Sequence, residues 1–268
     1  MKFITIQPPA SLSRYVSSFW ALEGSSSILS PYVFRLMADG MAALVFHYSG
    51  AFNEVYHDGR QEESIISGLT SQSEKFRIFS INRDFAMFGA HLYPYAISHL
   101  FSIPSTELKN QLIDLKSLLG KHDDGLEEGI MLAKDLPARV KIITRFLENR
   151  LCKIPPIPPG IFETINYITK TNGTIEVDAL AQRNFLSMRQ FERNFKQYSG
   201  FSPKTFSRII RFQNALSQKD KSKKTLTQIA FDAGYSDQAH FIRDFKEFSG
   251  ITPKEYFRER SENSNFKL

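Results

Sequence analysis

The pattern of apolar and polar positions changes character part-way along this chain of 268 residues. Up to about residue 92 the apolar runs are short and strand-like. Met41 to Tyr48 is one such run behind the turn pair Asp39-Gly40, and Ser64 to Leu69 and Lys75 to Ser80 are further candidates. Phe85 to Leu92 alternates, with Phe85, Met87 and Gly89 on one side and Ala86, Phe88, Ala90 and Leu92 on the other. This spacing predicts a small antiparallel barrel or sandwich. From Pro94 the period turns helical, and between Pro137 and Leu151 the residues Val140, Ile143, Phe146 or Leu147, and Leu151 recur at helical spacing. A helix with that stripe buries it on the barrel or against a second subunit, and the pattern leaves both open.

A boundary follows. Lys153-Ile154-Pro155-Pro156-Ile157-Pro158-Pro159-Gly160 has four prolines in eight positions. Proline fixes φ and removes a donor, so the stretch reads as a stiff linker, neither helix nor central strand. It divides the chain into a first domain over 1–152, a linker over 153–160 and a second domain over 161–268. The fold class expected is α+β: a small antiparallel β-barrel or sandwich with flanking helices, followed by an all-α domain.

The all-α part repeats itself. The first copy runs from Ala181 and the second from Ala230. Ala181 pairs with Ala230 and Ser187 with Ser236. After one inserted residue, Phe191/Phe241, Arg193/Arg243, Phe195/Phe245, Lys196/Lys246, Gly200/Gly250, Pro203/Pro253 and Lys204/Lys254 pair in register. Each copy reads as a short helix (Val177 to about Arg183; Leu226 to about Ala233), a tight turn and a longer helix opening at Ser187 or near Ser236 and Asp237. Ser187 with Gln190 and Thr225 with Gln228 have the spacing of capping boxes. Each longer helix ends at Ser-Gly, and the next opens with Ser202-Pro203 or Thr252-Pro253.

Charge sharpens this division. The net charge of +6 lies entirely beyond residue 160, where 18 Lys and Arg face 12 Asp and Glu; before it the two signs cancel. Confined positive charge points to a polyanionic partner. In the longer helices Phe191, Phe195 and Tyr198, and likewise Phe241, Phe245 and Phe248, form core stripes. Opposite them lie Arg189, Arg193 and Lys196 flanked by Glu192, and Ala239, Arg243 and Lys246 flanked by His240 and Ile242. A helix that buries aromatics on one side and shows cations and hydrogen-bonding groups on the other suits the major groove of double-stranded DNA.

The second copy resembles the AraC/XylS family of bacterial transcription regulators. The residues that carry the resemblance are Ile229-Ala230, Gly234-Tyr235-Ser236-Asp237-Gln238, His240-Phe241, Arg243, Phe245-Lys246, Gly250 and Thr252-Pro253. The resemblance covers about residues 175–258. It implies two helix-turn-helix units joined by a long helix, here Pro203 to about Ser217, and two helices in successive major grooves about 34 Å apart. By position it implies base-facing roles for Arg189, Glu192 and Arg193, and for Gln238, Ala239, His240 and Arg243. Ser187, Gln190, Lys196, Ser236 and Lys246 complete the candidate DNA-binding set. Phe185 stands where the family's first turn often has glycine, and Glu192 and Ala239 depart from its common residues. A contact with RNA polymerase is implied if the chain activates transcription.

The first domain resembles cupin-related sensor domains of bacterial regulators. Asp39-Gly40 leads into Ala43-Leu44-Val45-Phe46, and Phe88-Gly89 and the Pro94 turn lead to a helix ending near Leu118-Leu119-Gly120. That resemblance implies binding of a small effector, homodimer formation, or both. Arg35, His47, His91 and Tyr93 lie in or beside predicted strands and are the ligand candidates, because a polar side chain among apolar neighbours must find a partner or hold a ligand.

No catalytic residue, metal or cofactor is expected. The six histidines (His47, His57, His91, His99, His122 and His240) lack the His-x-His spacing with a following Glu of a cupin metal site, and no HExxH, P-loop or GxSxG motif occurs. The single Cys152 cannot form an internal disulfide, which fits a reducing compartment. Without an apolar run of membrane length or a signal-peptide pattern, a cytoplasmic location and no membrane partner are expected.

Overall fold

The computed structural model describes residues 1–120, 125–152, 159–175, 177–218 and 224–262. Ten strands come first: β1 (Lys2–Ile6), β2 (Val16–Gly24), β3 (Tyr32–Leu36), β4 (Ala42–Ser49), β5 (Asn53–Val55), β6 (Gln61–Glu63), β7 (Ser67–Thr70), β8 (Arg77–Ile81), β9 (Phe85–Leu92) and, later, β10 (Leu112–Asp114). They make two antiparallel sheets, of order β1-β2-β9-β4-β7-β10 and β3-β8-β5-β6. The alternation read in Phe85 to Leu92 has a direct structural meaning. Phe88, Ala90 and Leu92 join the larger core under the helices, while Phe85 and Met87 face the second sheet. Gly89 lies opposite both Trp20 and Val45. The Trp20 indole crosses it so closely that a Cβ there would stand 2.5 Å from the ring, so no larger residue fits.

The helices of the first part are α1 (Pro94–Phe101), α2 (Ser105–Leu108), α3 (Leu115–Leu119), α4 (Leu126–Leu132) and α5 (Leu136–Leu151). Helix α5 starts where Asp135 accepts a hydrogen bond from the Ala138 N–H, with proline in its first turn. Its Ile143, Phe146 and Leu147 are buried in the core of this same chain. The stripe is therefore covered from within.

The second part consists of α6 (Pro159–Lys170), α7 (Val177–Arg183), α8 (Met188–Ser199), α9 (Pro203–Ser217), α10 (Leu226–Asp232), α11 (Gln238–Ser249) and α12 (Pro253–Glu262). The proline-rich linker is shorter at its end than expected. Pro159 and Gly160 open α6, because a proline in the first turn of a helix loses a donor that would be unpaired anyway. Residues 153–158 of that linker lie outside the described residues, as does His122. Both predicted capping boxes form: Ser187 with Gln190 and Thr225 with Gln228.

The repeat also governs how the two parts meet. The ends of α8 and α11 both seat on the β domain. At the first, Gln72 Nε2 donates to the Ser199 carbonyl at 3.3 Å and Ser105 Oγ donates to the Tyr198 carbonyl at 2.9 Å. At the second, Arg35 Nη1 donates to the Ser249 carbonyl at 3.0 Å and the Ala38 N–H donates to the Phe248 carbonyl at 3.0 Å. Gly200 and Gly250 both have φ +78, and a Cβ on Gly250 would lie 2.4 Å from the Phe76 ring. The glycine that closes each helix thus also admits the neighbouring domain. One cluster of buried apolar residues spans both parts, with members from Leu12 to Tyr256, and a second, smaller one lies between the two sheets.

Candidate nucleic-acid interface

The surface of α8 and α11 follows from their buried stripes. Phe191 and Phe195 are fully buried, and so are Phe241, Phe245 and Phe248. With those side chains inward, Arg189, Gln190, Glu192, Arg193 and Lys196 are exposed on α8, and Ala239, Arg243 and Lys246 are exposed on α11. Among the described residues, Arg189, Arg193 and Arg243 have no hydrogen bond or ion pair within the chain. Three guanidiniums thus stand solvated, each with a planar fork of donors.

Other predicted positions are already engaged. Ser187 and Gln190 bond to each other in the cap of α8. Gln238 Oε1 accepts from Thr227 Oγ1 at 2.9 Å, and Ser236 Oγ lies 3.4 Å from Asp237. His240 Nε2 is 3.4 Å from Asp244 Oδ2. Asp244 is the residue that sequence reasoning missed. It is 1% exposed, on the same side of α11 as Phe241, Phe245 and Phe248. Arg208 of α9 reaches it, with Nη2 at 2.8 Å from Asp244 Oδ1 and 2.7 Å from Glu247 Oε2. These carboxylates hold the Arg208 guanidinium even further above neutrality than usual. The pair ties α11 to the connecting helix and so sets how the exposed face of α11 is aimed.

The turn between α7 and α8 bears out one peculiarity of the sequence. Phe185, at the place where glycine is common, has φ +53 and is 97% exposed. A side chain in the left-handed region is strained, and this one buries nothing in return. Phe185→Gly is expected to raise stability by about 1 kcal/mol, read as a higher denaturation midpoint; an unchanged or lower midpoint would argue against strain there.

Residues 180–259 match a family described as "Helix-turn-helix domain", and residues 4–114 match one described as "Domain of unknown function (DUF6597)". The curated relatives include the "HTH-type transcriptional activator RhaS" of Escherichia coli (strain SE11) and of Escherichia fergusonii. Each is 34% identical over 64 residues, covering 24% of this chain and 23% of the relative. The helical second part thus carries a helix-turn-helix domain similar to that of these activators. The chain spans about a quarter of the length of these curated relatives. Solved structures with similarity include ToxT from Vibrio cholerae O395, at a TM-score of 0.49 and 15% identity, covering 90% of this chain and 97% of that one. The DNA-binding domain of AdpA in complex with a target DNA has a TM-score of 0.37 at 20% identity, covering 40% of this chain and 97% of that one. An AraC-type regulator from Chromobacterium violaceum has a TM-score of 0.36 at 28% identity, covering 39% and 94%.

The second feature of the chain lies between its two sheets. A cavity of about 280 Å³ is walled by Trp20, Val45 and Met87 from the larger sheet and by Tyr32, Phe34 and Phe79 from the smaller one. Three of the four ligand candidates, Arg35, His47 and His91, line it. Tyr93 does not. It precedes α1, stacks on Tyr95 with ring centroids 5.6 Å apart, and packs on the other core. A side chain just beyond a strand end is turned by the helix that follows, which strand alternation does not register.

Burial pushes both His47 and His91 down to about 4 and lifts Asp39, in the same wall, to about 6. The unfolded chain therefore takes up the two histidine protons first as pH falls below about 6.5, and stability drops toward pH 4. Asp39 acts in the opposite sense, since the folded state protonates it first between about 6 and 3.8. Two histidines outweigh one carboxyl, so thermal denaturation from pH 7 to pH 4 is expected to show falling stability. A combined His47→Gln, His91→Gln variant should show a smaller fall, the remainder coming from His99 and from carboxylates such as Asp114. Equal stability of the parent protein at the two ends would contradict this assignment.

Proposed function

We propose that the chain is a sequence-specific transcription regulator that places α8 and α11 in adjacent major grooves of double-stranded DNA, under the control of a small molecule held by the β domain. The observation that carries the reading is the matched pair of solvated arginines, Arg193 and Arg243, at equivalent positions of two copies whose aromatic faces are buried. Arginine can pair both acceptors of a guanine edge, and a lysine beside it can neutralise phosphate. Lys196 and Lys246, one turn further along, have the second role. Ser187, Arg189, Gln190, Glu192, Ser236, Gln238, Ala239 and His240 form the rest of the proposed contact surface. Those bound within the chain, such as Gln190 and Gln238, position their helices as much as they touch bases.

The cavity supports control by a small molecule, since it lies between the two sheets, is mostly apolar and is bordered by a few polar groups. A homodimer and a contact with RNA polymerase enter the proposal through the family resemblance, and a cytoplasmic setting goes with a DNA-binding role. Among the described residues no helix is long and apolar enough to cross a membrane.

Selection of fragments from genomic DNA by the purified chain, followed by titration at several salt concentrations, tests the reading. Affinity should fall steeply with salt, and Lys196→Ala and Lys246→Ala should each reduce the logarithmic salt slope by about 1. Salt-insensitive binding, or no enrichment of any fragment, would defeat it.

A further inference from the structure

We propose that the cavity between the sheets holds an uncharged, mostly apolar molecule of about two rings, and that the stretch from Arg35 to Asp39 carries its presence to the end of α11. The proposal rests on the reading of the chain as a ligand-controlled DNA-binding protein and gives that ligand a chemical class and a route of action.

Size follows from volume. An apolar protein cavity of about 150 Å³ accommodates one benzene ring, so about 280 Å³ has room for roughly two. Charge follows from the walls. Among the described residues, Arg35 and Asp39 are the two charged residues that line the cavity; they are of opposite sign, and each makes a hydrogen bond to the backbone. Arg35 donates to the Ser249 carbonyl and lies over the Phe76 ring at 5.4 Å; Asp39 accepts the Met41 N–H at 2.9 Å. His47 and His91 are held neutral by burial. An ion entering this space would lose its hydration and meet both signs of charge in the wall, so that attraction to one of Arg35 and Asp39 is offset by repulsion from the other, a cost above that of a neutral group. Neutral hydrogen-bonding groups are available instead: Ser64, Thr70 and Gln213 line the cavity. Trp20 Nε1 and His47 Nδ1, on two lining rings, have no hydrogen-bond partner among the described residues. A ligand with one hydroxyl or carbonyl suits such a wall.

The route of action is built into one stretch of chain. Arg35, Leu36, Met37 and Asp39 form part of the cavity wall. Within this stretch, Arg35 and Ala38 bond to the carbonyls of Ser249 and Phe248, in the last turn of α11. From the other domain, Gln213 donates to the Ala38 carbonyl, and Gln213, Leu216 and Tyr256 close the cavity. A molecule inside therefore touches both domains and the strap between them. Its affinity depends on how α11 is seated, which by linkage makes the affinity for DNA depend on the molecule.

The test uses the full chain with para-cyclohexylphenol as an uncharged two-ring probe and para-cyclohexylbenzoate as its anionic counterpart. Trp20 is the chain's single tryptophan and lines the cavity, so its emission reports occupancy. Affinity for a selected DNA fragment is measured in parallel. The phenol is expected to change Trp20 emission and to shift DNA affinity by roughly 5- to 150-fold, and the benzoate to do neither. Ala43→Leu, or Thr70→Leu as a second filling variant, should abolish the emission response without lowering the melting temperature. Arg35→Met should keep the emission response and lose the shift in DNA affinity; Gln213→Met repeats that arm from the other side of the seat. Equal responses to phenol and benzoate, or none to the phenol, would overturn the ligand class. An emission response with unchanged DNA affinity would overturn the route. A phenol response in a chain that binds no DNA fragment would uphold the ligand class and defeat the regulator reading beneath it.

Discussion

Replacing Arg208 by methionine is expected to cost roughly 3–5 kcal/mol of stability, the range found when one partner of a buried ion pair is removed. The pair is unusual in this chain for its depth. Asp244 is 1% exposed, the Arg208 side chain is 24% exposed, and their closest atoms are 2.8 Å apart. Without Arg208, the Asp244 carboxylate keeps His240 Nε2 at 3.4 Å as its neighbour, on a side of α11 otherwise given to phenylalanines. Typical domains are stable by only about 5–15 kcal/mol, so the variant should unfold at much lower denaturant, as followed by helical circular dichroism. The compensated variant Arg208→Met, Asp244→Leu should recover most of the loss, because an apolar pair of similar bulk needs no solvation. A cost under about 1 kcal/mol for Arg208→Met would mean that the pair behaves as a surface contact and does not fix α11.

The second large effect concerns DNA. Arg193→Ala and Arg243→Ala should each remove about 1–3 kcal/mol of discrimination at one base pair. The two residues belong to different helices with no shared partner, so their effects should add. The double variant is then expected to bind its selected fragment roughly 30-fold to 10⁴-fold more weakly, a range obtained at 1.4 kcal/mol per tenfold. Its affinity for random DNA should fall much less, since lysines and backbone groups supply most of that term. Both arginines are exposed, so thermal stability should not change. Equal losses on selected and random DNA would assign the arginines to phosphates.

Much of this arrangement was legible because repetition makes a sequence self-checking. The boundaries of α7 to α11, both capping boxes and the glycine at the end of each longer helix all follow from two copies that share one grammar. The β domain was less open to reading. Strand β9 alternates cleanly, but β2 is central in its sheet and carries the buried run Phe19 to Leu22, which has no period to read. Strands β5, β6 and β10 are three residues each, too short to register against turn residues.

The candidate sites show the same contrast. The outward arginines could be placed from helical period alone. Asp244 needed a different question, namely why an acid sits among Phe241, Phe245 and Phe248, and its answer lies on α9. The cavity gathers residues from both sheets, and from α9 and α12. No local pattern joins residues so far apart in the chain, which is also why Tyr93 was grouped with them although it packs elsewhere. The seats of α8 and α11 on the β domain were invisible for the same reason, although their glycines were marked.

The most direct measurement is a hydroxyl-radical and guanine-methylation footprint of the purified chain on a fragment it selects. Two protected patches of major-groove guanines on one face of the duplex, about 34 Å or one helical turn apart, are expected, with one patch lost in Arg193→Ala and the other in Arg243→Ala. A single patch, or two patches that both survive those substitutions, would contradict the claim that the two repeated helices read DNA side by side.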